Sequence, residues 1–438
     1  MAESTEDVFP EGRRQDLDLD ELRAARQELD DVIDEIRRLD GFGDFLAEPS
    51  FDDISAAAGQ QPLCYLSPAQ GGGLALIVRG DEVTAVWLED LSAEEVRRRV
   101  GGLAVSGAEF RANPDAGFAA WGTDLDGTAR WLWDAAMGPL LHGELAGADH
   151  VTLIPAGLLG MLPLHAAWTP DASTPTGRRW ALDHTTISYI PNARALTAAR
   201  RIAQERGPDR LLVVADPDRP AGGGHTSFTA LEAEAVAGVF PGAHRMLRGP
   251  RATVPAVLRE LPAAGVVHFA CHGFADIGSP LDSGLSLADG ETLRLRDLMG
   301  LDLRVRLAVL SSCETSVPGT RLPDEVVALP TGLLQAGAAG VVASQWPVPD
   351  WPTTLVMTRF YDCWRAGSPP AEALRQAQIW VRDTSNEEKT RFVDTAADEG
   401  RLSPTSADAL LDTLLLTEPD ARDEAHISRW AAFAHFGI

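Results

Sequence analysis

Two short runs in the second half of the chain lack the every-other-residue polarity of a strand that faces water: Val266–Ala270 within Gly-Val-Val-His-Phe-Ala-Cys-His-Gly (265–273), and Leu307–Ser311 within Arg-Leu-Ala-Val-Leu-Ser-Ser-Cys-Glu-Thr (306–315). Such runs have to be buried on both faces, the condition of interior strands in a parallel sheet covered by helices. The rest of the second half agrees. After residue 208, β-rich runs at Leu211–Ala215, Arg245–Leu247 and Gly340–Ser344 join those two, alternating with helical patterns over Thr229–Val239, Val254–Leu261, Glu325–Ala338, 353–366 and 371–384. Strands alternating with helices of this length predict an α/β fold with a mainly parallel sheet flanked by helices.

A weaker version of the alternation precedes it. Leu63–Leu66, Gly73–Val78 and Val83–Leu88 are short β-rich runs separated by Gly71–Gly73 and Gly80-Asp81, and further strands are expected at 150–154 and 185–190. Ser92 and Glu95 read as a capping box opening a short helix, and Leu125–Leu145 as a longer helix. Gly207-Pro208-Asp209 is the best internal boundary. In residues 1–50, which are acidic, Leu22, Ala25, Leu29, Val32, Ile33, Ile36 and Leu39 recur at helical spacing before Gly41, predicting one amphipathic helix that docks on the body or on a partner. The expected organisation is therefore an acidic helical segment (1–60) and two stacked α/β halves (61–207 and 208–438).

Composition excludes several function classes. A formal charge of −26 disfavours nucleic acid and anionic membranes as partners. Cys64, Cys271, Cys313 and Cys363 show no CxxC spacing, so neither a structural zinc site nor a disulfide framework is expected. No metal or cofactor is expected: Gly71–Gly73 and Gly222–Gly224 lack the endings of phosphate-binding loops, and the aspartates after His272 lack EF-hand spacing. Without a basic leader or an apolar stretch of about 18 residues, the chain reads as a cytoplasmic protein that does not enter membranes.

What chemistry remains lies where the two apolar runs end. Ligands and reacting groups collect at the carboxyl ends of strands in open α/β sheets. There the chain carries an imidazole, His272, and a thiol, Cys313. A thiolate is the nucleophile in cysteine catalysis and needs a base nearby, a role open to His272. Their separation, 313 − 272 = 41 residues, suffices for a strand–helix–strand crossover that sets the two strands side by side. The backbone N–H groups of Gly273 and Cys313 are candidate oxyanion donors. Taken singly, each residue has a plainer reading, Cys313 as apolar filler and His272 as a hydrogen-bonded strand-end histidine. Cys271, next to His272, is expected on the opposite face of the strand.

The two segments together resemble the histidine and cysteine motifs of the CHAT family, bacterial relatives of caspases and separases. Leu-Ile-Pro-Ala-Gly-Leu-Leu-Gly-Met-Leu-Pro-Leu-His-Ala-Ala (153–167), Pro-Leu-Asp-Ser-Gly-Leu (280–285), Leu-Pro-Asp-Glu-Val-Val (322–327) and Gly-Val-Val-Ala-Ser-Gln-Trp-Pro-Val-Pro-Asp (340–350) are similar to that family as well. The resemblance implies a caspase-like fold with an active half at 208–438, a related half at 61–207 without the dyad, and a His272/Cys313 cysteine endopeptidase acting through a thioester. It also implies that His268 points into the core and that His165 has a structural role. Members are often switched on by a partner or sensor and cut a dedicated effector, including gasdermin-like proteins in antiphage defence. The Gln-Ala-Cys-Arg-Gly signature of animal caspases is missing, so a preference for aspartate is not implied.

In this clan the loop after the next strand helps build the pocket for the residue before the cut, here Gln345–Trp351. It carries Trp346, Asp350 and Trp351, and Glu314 lies beside the thiol. An acidic rim suits an Arg or Lys side chain, while Asp350 is equally placed to cap a helix beginning near Pro352. Two further readings share the same residues: a non-catalytic scaffold on a caspase-like fold, and a thiol-dependent acyltransferase or amidase.

Overall fold

The computed structural model describes residues 19–40, 43, 47–205, 209–215, 228–274, 276, 279–311 and 328–438. One eleven-stranded sheet organises them. Its strands are β1 (Leu63–Ala69), β2 (Gly72–Arg79), β3 (Glu82–Leu88), β4 (His150–Pro155), β5 (Thr186–Tyr189), β6 (Leu211–Ala215), β7 (His244–Arg248), β8 (Val266–Ala270), β12 (Val305–Leu310), β13 (Ala338–Ser344) and β14 (Phe433–Gly437), in the order β3-β2-β1-β4-β5-β14-β13-β12-β8-β6-β7. Strands β9 (Gly273–Phe274), β10 (Gly284–Ser286) and β11 (Thr292–Arg294) form a small separate sheet. In the large sheet, pairing is antiparallel along β1–β2–β3 and between β13 and β14, and parallel elsewhere.

The fully apolar runs fall where double-sided burial demands. Every residue of β6, β8 and β13 is buried, as is all of β12 except Arg306. The helices named below are α1 (Leu19–Arg37), α2 (Phe51–Ala58), α3 (Ala93–Ala112), α4 (Pro114–Leu132), α5 (Ala193–Gln204), α6 (Phe228–Gly238), α7 (Val254–Glu260), α8 (Leu295–Met299), α9 (Leu329–Ala336), α10 (Asp350–Arg365) and α11 (Pro370–Asp383). Gly337 closes α9 at φ 109°, and a Cβ there would lie 2.0 Å from the Leu303 carbonyl oxygen, so only glycine lets α9 turn directly into β13.

One expectation is corrected and two are sharpened. The two α/β portions join edge to edge: the C-terminal strand β14 lies between β13 and β5 and makes the sheet continuous. The helix after Ser92 runs twenty residues, and only half a capping box forms. Ser92 Oγ accepts the Glu95 N–H at 3.2 Å, but the Glu95 carboxylate turns to Arg98 and Arg99. The N-terminal apolar stripe is only partly covered by the body: Ile33 and Ile36 are half-buried, while Leu29 and Val32 of α1 and Leu39 just beyond it are 57%, 48% and 59% exposed.

Candidate active site

β8 and β12 lie side by side and parallel, in register from Val266 with Leu307 to Phe269 with Leu310. Just past the last pair, the Ser311 N–H donates to the Phe269 carbonyl at 2.9 Å, so the two carboxyl ends are level. β8 then leaves the sheet. Its continuation forms β9, which pairs with β10, and the His272 carbonyl accepts the Ser286 N–H at 2.8 Å. This change of direction takes the chain from the fully buried Phe269 and Ala270 to an exposed His272 within two residues. Gly273 follows, half-buried in β9. Cys313, its backbone N–H and Glu314 lie outside the described residues.

His272 opens on a narrow cleft of about 30 Å³, also lined by Cys271, Ser311, Glu232, Val348 and Asp350. That is the space of roughly one water. The expectation for Cys271 is corrected here: β8 stops at Ala270, so strand alternation does not reach the next residue, and the buried Cys271 lines the same cleft as His272. Beneath the cleft, Glu232 of α6 and His268 of β8 are both buried, with Oε1 and Nε2 3.0 Å apart, close enough for an ion pair but off line for a hydrogen bond. The other His268 nitrogen meets the Tyr361 hydroxyl at 3.2 Å. Burial, aided by the Glu232 charge, holds that phenol well above its ordinary pKa. The Ser311 hydroxyl is buried with no hydrogen-bond partner among the described residues.

The CHAT-domain sequence profile matches residues 126–438, which includes the whole cleft and most of the sheet. The chain belongs to the CHAT family. CHAT proteins are a caspase-like protease family, and the separase fold is similar to this one. Separase of Saccharomyces cerevisiae, solved as a separase–securin complex, superposes with a TM-score of 0.54 at 10% identity over 89% of this chain. This chain spans 31% of that separase polypeptide. Gingipain R of Porphyromonas gingivalis, an Arg-specific cysteine proteinase, gives a TM-score of 0.40 at 9% identity, over 72% of this chain and 67% of its own. No curated protein matches the sequence.

Within this CHAT chain, the loop after β13 bends at Gln345 and Trp346, and its residues then border two different hollows. Trp346 and Val348 turn inward, Val348 and Asp350 reach the cleft, and Pro347 and Pro349 face the other way. Trp346, expected on the substrate rim, is therefore in the core, 6% exposed, with its indole N–H donating to the Ser428 carbonyl at 3.2 Å. Asp350 is exposed on the cleft. The helix starts at Asp350 itself, so this residue is not the cap of a later helix but stands in the first turn of α10, where a carboxylate is favoured by the helix dipole. Trp351 packs edge-on against Phe228, with ring centroids 6.0 Å apart.

His165 is enclosed. Its Nε2 donates to the Ala431 carbonyl at 2.8 Å, which leaves Nδ1 to accept from the Tyr189 hydroxyl at 2.9 Å, and burial pushes its pKa down to about 4. Among the described residues, no group of three or more His, Cys, Asp or Glu is arranged to hold a metal, and no helix is long and apolar enough to cross a membrane. Sequence reasoning overlooked Glu232. The signal was present: a carboxylate in the alanine-rich run Ala-Leu-Glu-Ala-Glu-Ala-Val-Ala, on a helix buried nearly all round, has to find a partner.

Proposed function

We propose that this chain is a cysteine endopeptidase in which Cys313 is the nucleophile and His272 the general base and acid. The observation that carries the reading is the level, parallel end of β8 beside β12: His272 follows one strand by two residues, and Cys313 follows the other by three. In the proposed reaction, the Cys313 thiol gives its proton to His272 and sulfur bonds to the scissile carbonyl carbon. The oxyanion is met by the Gly273 and Cys313 N–H groups. Collapse breaks the carbon–nitrogen bond as His272 returns the proton to the leaving amine, leaving a thioester. Water, deprotonated by His272, then releases the acid and restores the thiol.

Asp350 at the mouth of the cleft and Glu232 at its floor favour a basic residue, Arg or Lys, before the cut. The cleft has to widen to admit it, which suits an enzyme that responds to a partner. The exposed stripe of α1 supports a protein as that partner, and separase has been solved bound to one. A dedicated protein effector, a gasdermin-like one included, is the proposed substrate, with bacterial defence or signalling as its setting, the cytoplasm as its location and residues 61–207 as the half without a dyad.

The test is to incubate wild type, Cys313→Ala and His272→Ala with cell lysate and map new N-termini by mass spectrometry. The reading predicts wild-type termini, enriched after Arg or Lys, that both variants lack. Identical termini from wild type and Cys313→Ala would discard it. With an Arg substrate in hand, Asp350→Asn is expected to lower kcat/KM about tenfold, as for loss of one charge-assisted contact.

A further inference from the structure

The 345–350 loop has two working faces. One face borders the cleft at His272; the other, Pro347 and Pro349, borders a separate cavity of about 350 Å³. Its opposite wall is the hairpin of α3 and α4, closed at Asn113, whose side chain accepts the Ala116 N–H at 3.4 Å. Phe110 of α3 stacks on Trp121 of α4, with centroids 4.8 Å apart and planes 3° from parallel, and meets Phe118 edge-on at 5.9 Å and 61°. The Arg429 guanidinium lies 5.6 Å from the centre of the Phe118 ring.

Three properties say what this cavity accepts. Six of its nine lining residues are aromatic rings or prolines, which offer a ring broad apolar contact, while Asp115, Ser428 and Arg429 stand at its edge as polar partners. The rings are already arranged edge and face, the geometry in which a further ring is added most favourably, and a guanidinium stands ready over one of them. The volume is within the range of small-ligand pockets, unlike the water-sized cleft beside His272. Finally, Pro347 and Val348 are chain neighbours about 3.8 Å apart at Cα, so the cavity and the cleft share the wall that this loop forms.

We propose that the cavity between the α3–α4 hairpin and Pro347–Pro349 is a second side-chain subsite that takes an aromatic residue of the polypeptide cut at His272. The proposal rests on the protease reading. It adds a substrate determinant, an aromatic side chain at one fixed position near the cut. The hairpin contributes Phe110, Phe118 and Trp121, all N-terminal to the residues matched by the CHAT profile.

The experiment uses the full chain and a fluorogenic peptide library with Arg before the cut and one position at a time varied through Phe, Tyr, Trp, Leu, Ala and Asp. Wild type should cut peptides with an aromatic at one position about tenfold faster than their alanine counterparts, judged by kcat/KM. Phe118→Ala should bring that ratio close to one, and Phe118→Tyr should restore it, which excludes misfolding as the cause. In parallel, fluorescence polarisation measures binding of labelled aromatic and alanine peptides to Cys313→Ala. Cleavage without any aromatic preference, or a preference untouched in Phe118→Ala, overturns the subsite and leaves the protease reading intact. Aromatic-selective binding without cleavage by wild type does the reverse, sinking the protease reading while the cavity stands as a peptide-binding site. Neither cleavage nor selective binding overturns both.

Discussion

At the seam between β5 and β14, histidines are held by protein atoms on all sides; at the corner after β8, His272 stands in the open. His165 bonds through both ring nitrogens, and a Ser188 hydroxyl links His150 at 2.8 Å to His435 at 3.0 Å. Burial drives the pKa of His150 and His165 down to about 4 and, with the neighbouring His150, that of His435 to about 3. Neutral near pH 7 and enclosed, these rings stitch β14 to the strands on its far side. An imidazole that is to move protons needs the opposite setting, reachable by substrate and water. The same residue type thus does structural work where strands join and is left for chemistry where strands end.

The sharpest way to break that contrast is to carry it onto one strand run, β8 and the turn after it, where His268 is buried and His272 exposed. His272→Ala should lower peptidase kcat/KM by about a thousandfold or more, yet shift the urea unfolding free energy by no more than about 0.5 kcal/mol, as expected for an exposed side chain. Equal losses in both assays would remove the distinction. His268→Ala should behave inversely. It removes the buried ring that touches both Glu232 and the Tyr361 hydroxyl, and leaving buried polar groups without that neighbour costs about 1–3 kcal/mol of folding stability. An undiminished unfolding midpoint would mean that the Glu232–His268 contact holds nothing together.

Acid sharpens the comparison further. The seam histidines have folded-state pKa values of about 3 to 4, below the 6.5 expected when unfolded. As pH falls below 6.5 the unfolded chain takes up protons that the folded chain refuses. Their contribution to stability is therefore complete above pH 6.5 and lost as pH falls towards 4. Calorimetry should show a slope of up to about 1.4 kcal/mol per pH unit for each histidine, shallower in His165→Gln. A profile unchanged in that variant would place His165 outside the titrating set. The smallest expected effect is that of Cys271→Ala, which should leave kcat/KM within about threefold, the behaviour of a buried packing thiol. A large loss would make Cys271, not Cys313, the cleft's reactive sulfur.

Much of this contrast could be read from residue order, and the reasons for the gaps are local. β8, β12 and β13 were legible because double-sided burial leaves an unbroken apolar run. β14 was not: Phe-Ala-His-Phe-Gly pairs only with strands far away in sequence, and nothing local marks it. Its insertion is what joins the two portions in one continuous sheet. The rim of the cleft was half legible. Asp350 lines the cleft, in the loop that the resemblance pointed to, but Trp346 belongs to the core, and which side chains of so short a loop turn inward cannot be phased from sequence. His272 could be picked out because its neighbours at 266–270 are so plainly buried, whereas Cys271 was misassigned by extending a strand one residue past its end.

The most direct measurement of the central claim is to trap the nucleophile. Wild type, His272→Ala and Cys271→Ala would each be incubated with an Arg-bearing peptidyl acyloxymethyl ketone, which alkylates an activated thiolate in a substrate-like pose, and the adduct located by tandem mass spectrometry. The account predicts one adduct, on Cys313, in wild type and Cys271→Ala, and its loss in His272→Ala. An adduct on Cys271, or labelling of Cys313 that is indifferent to His272, would contradict it.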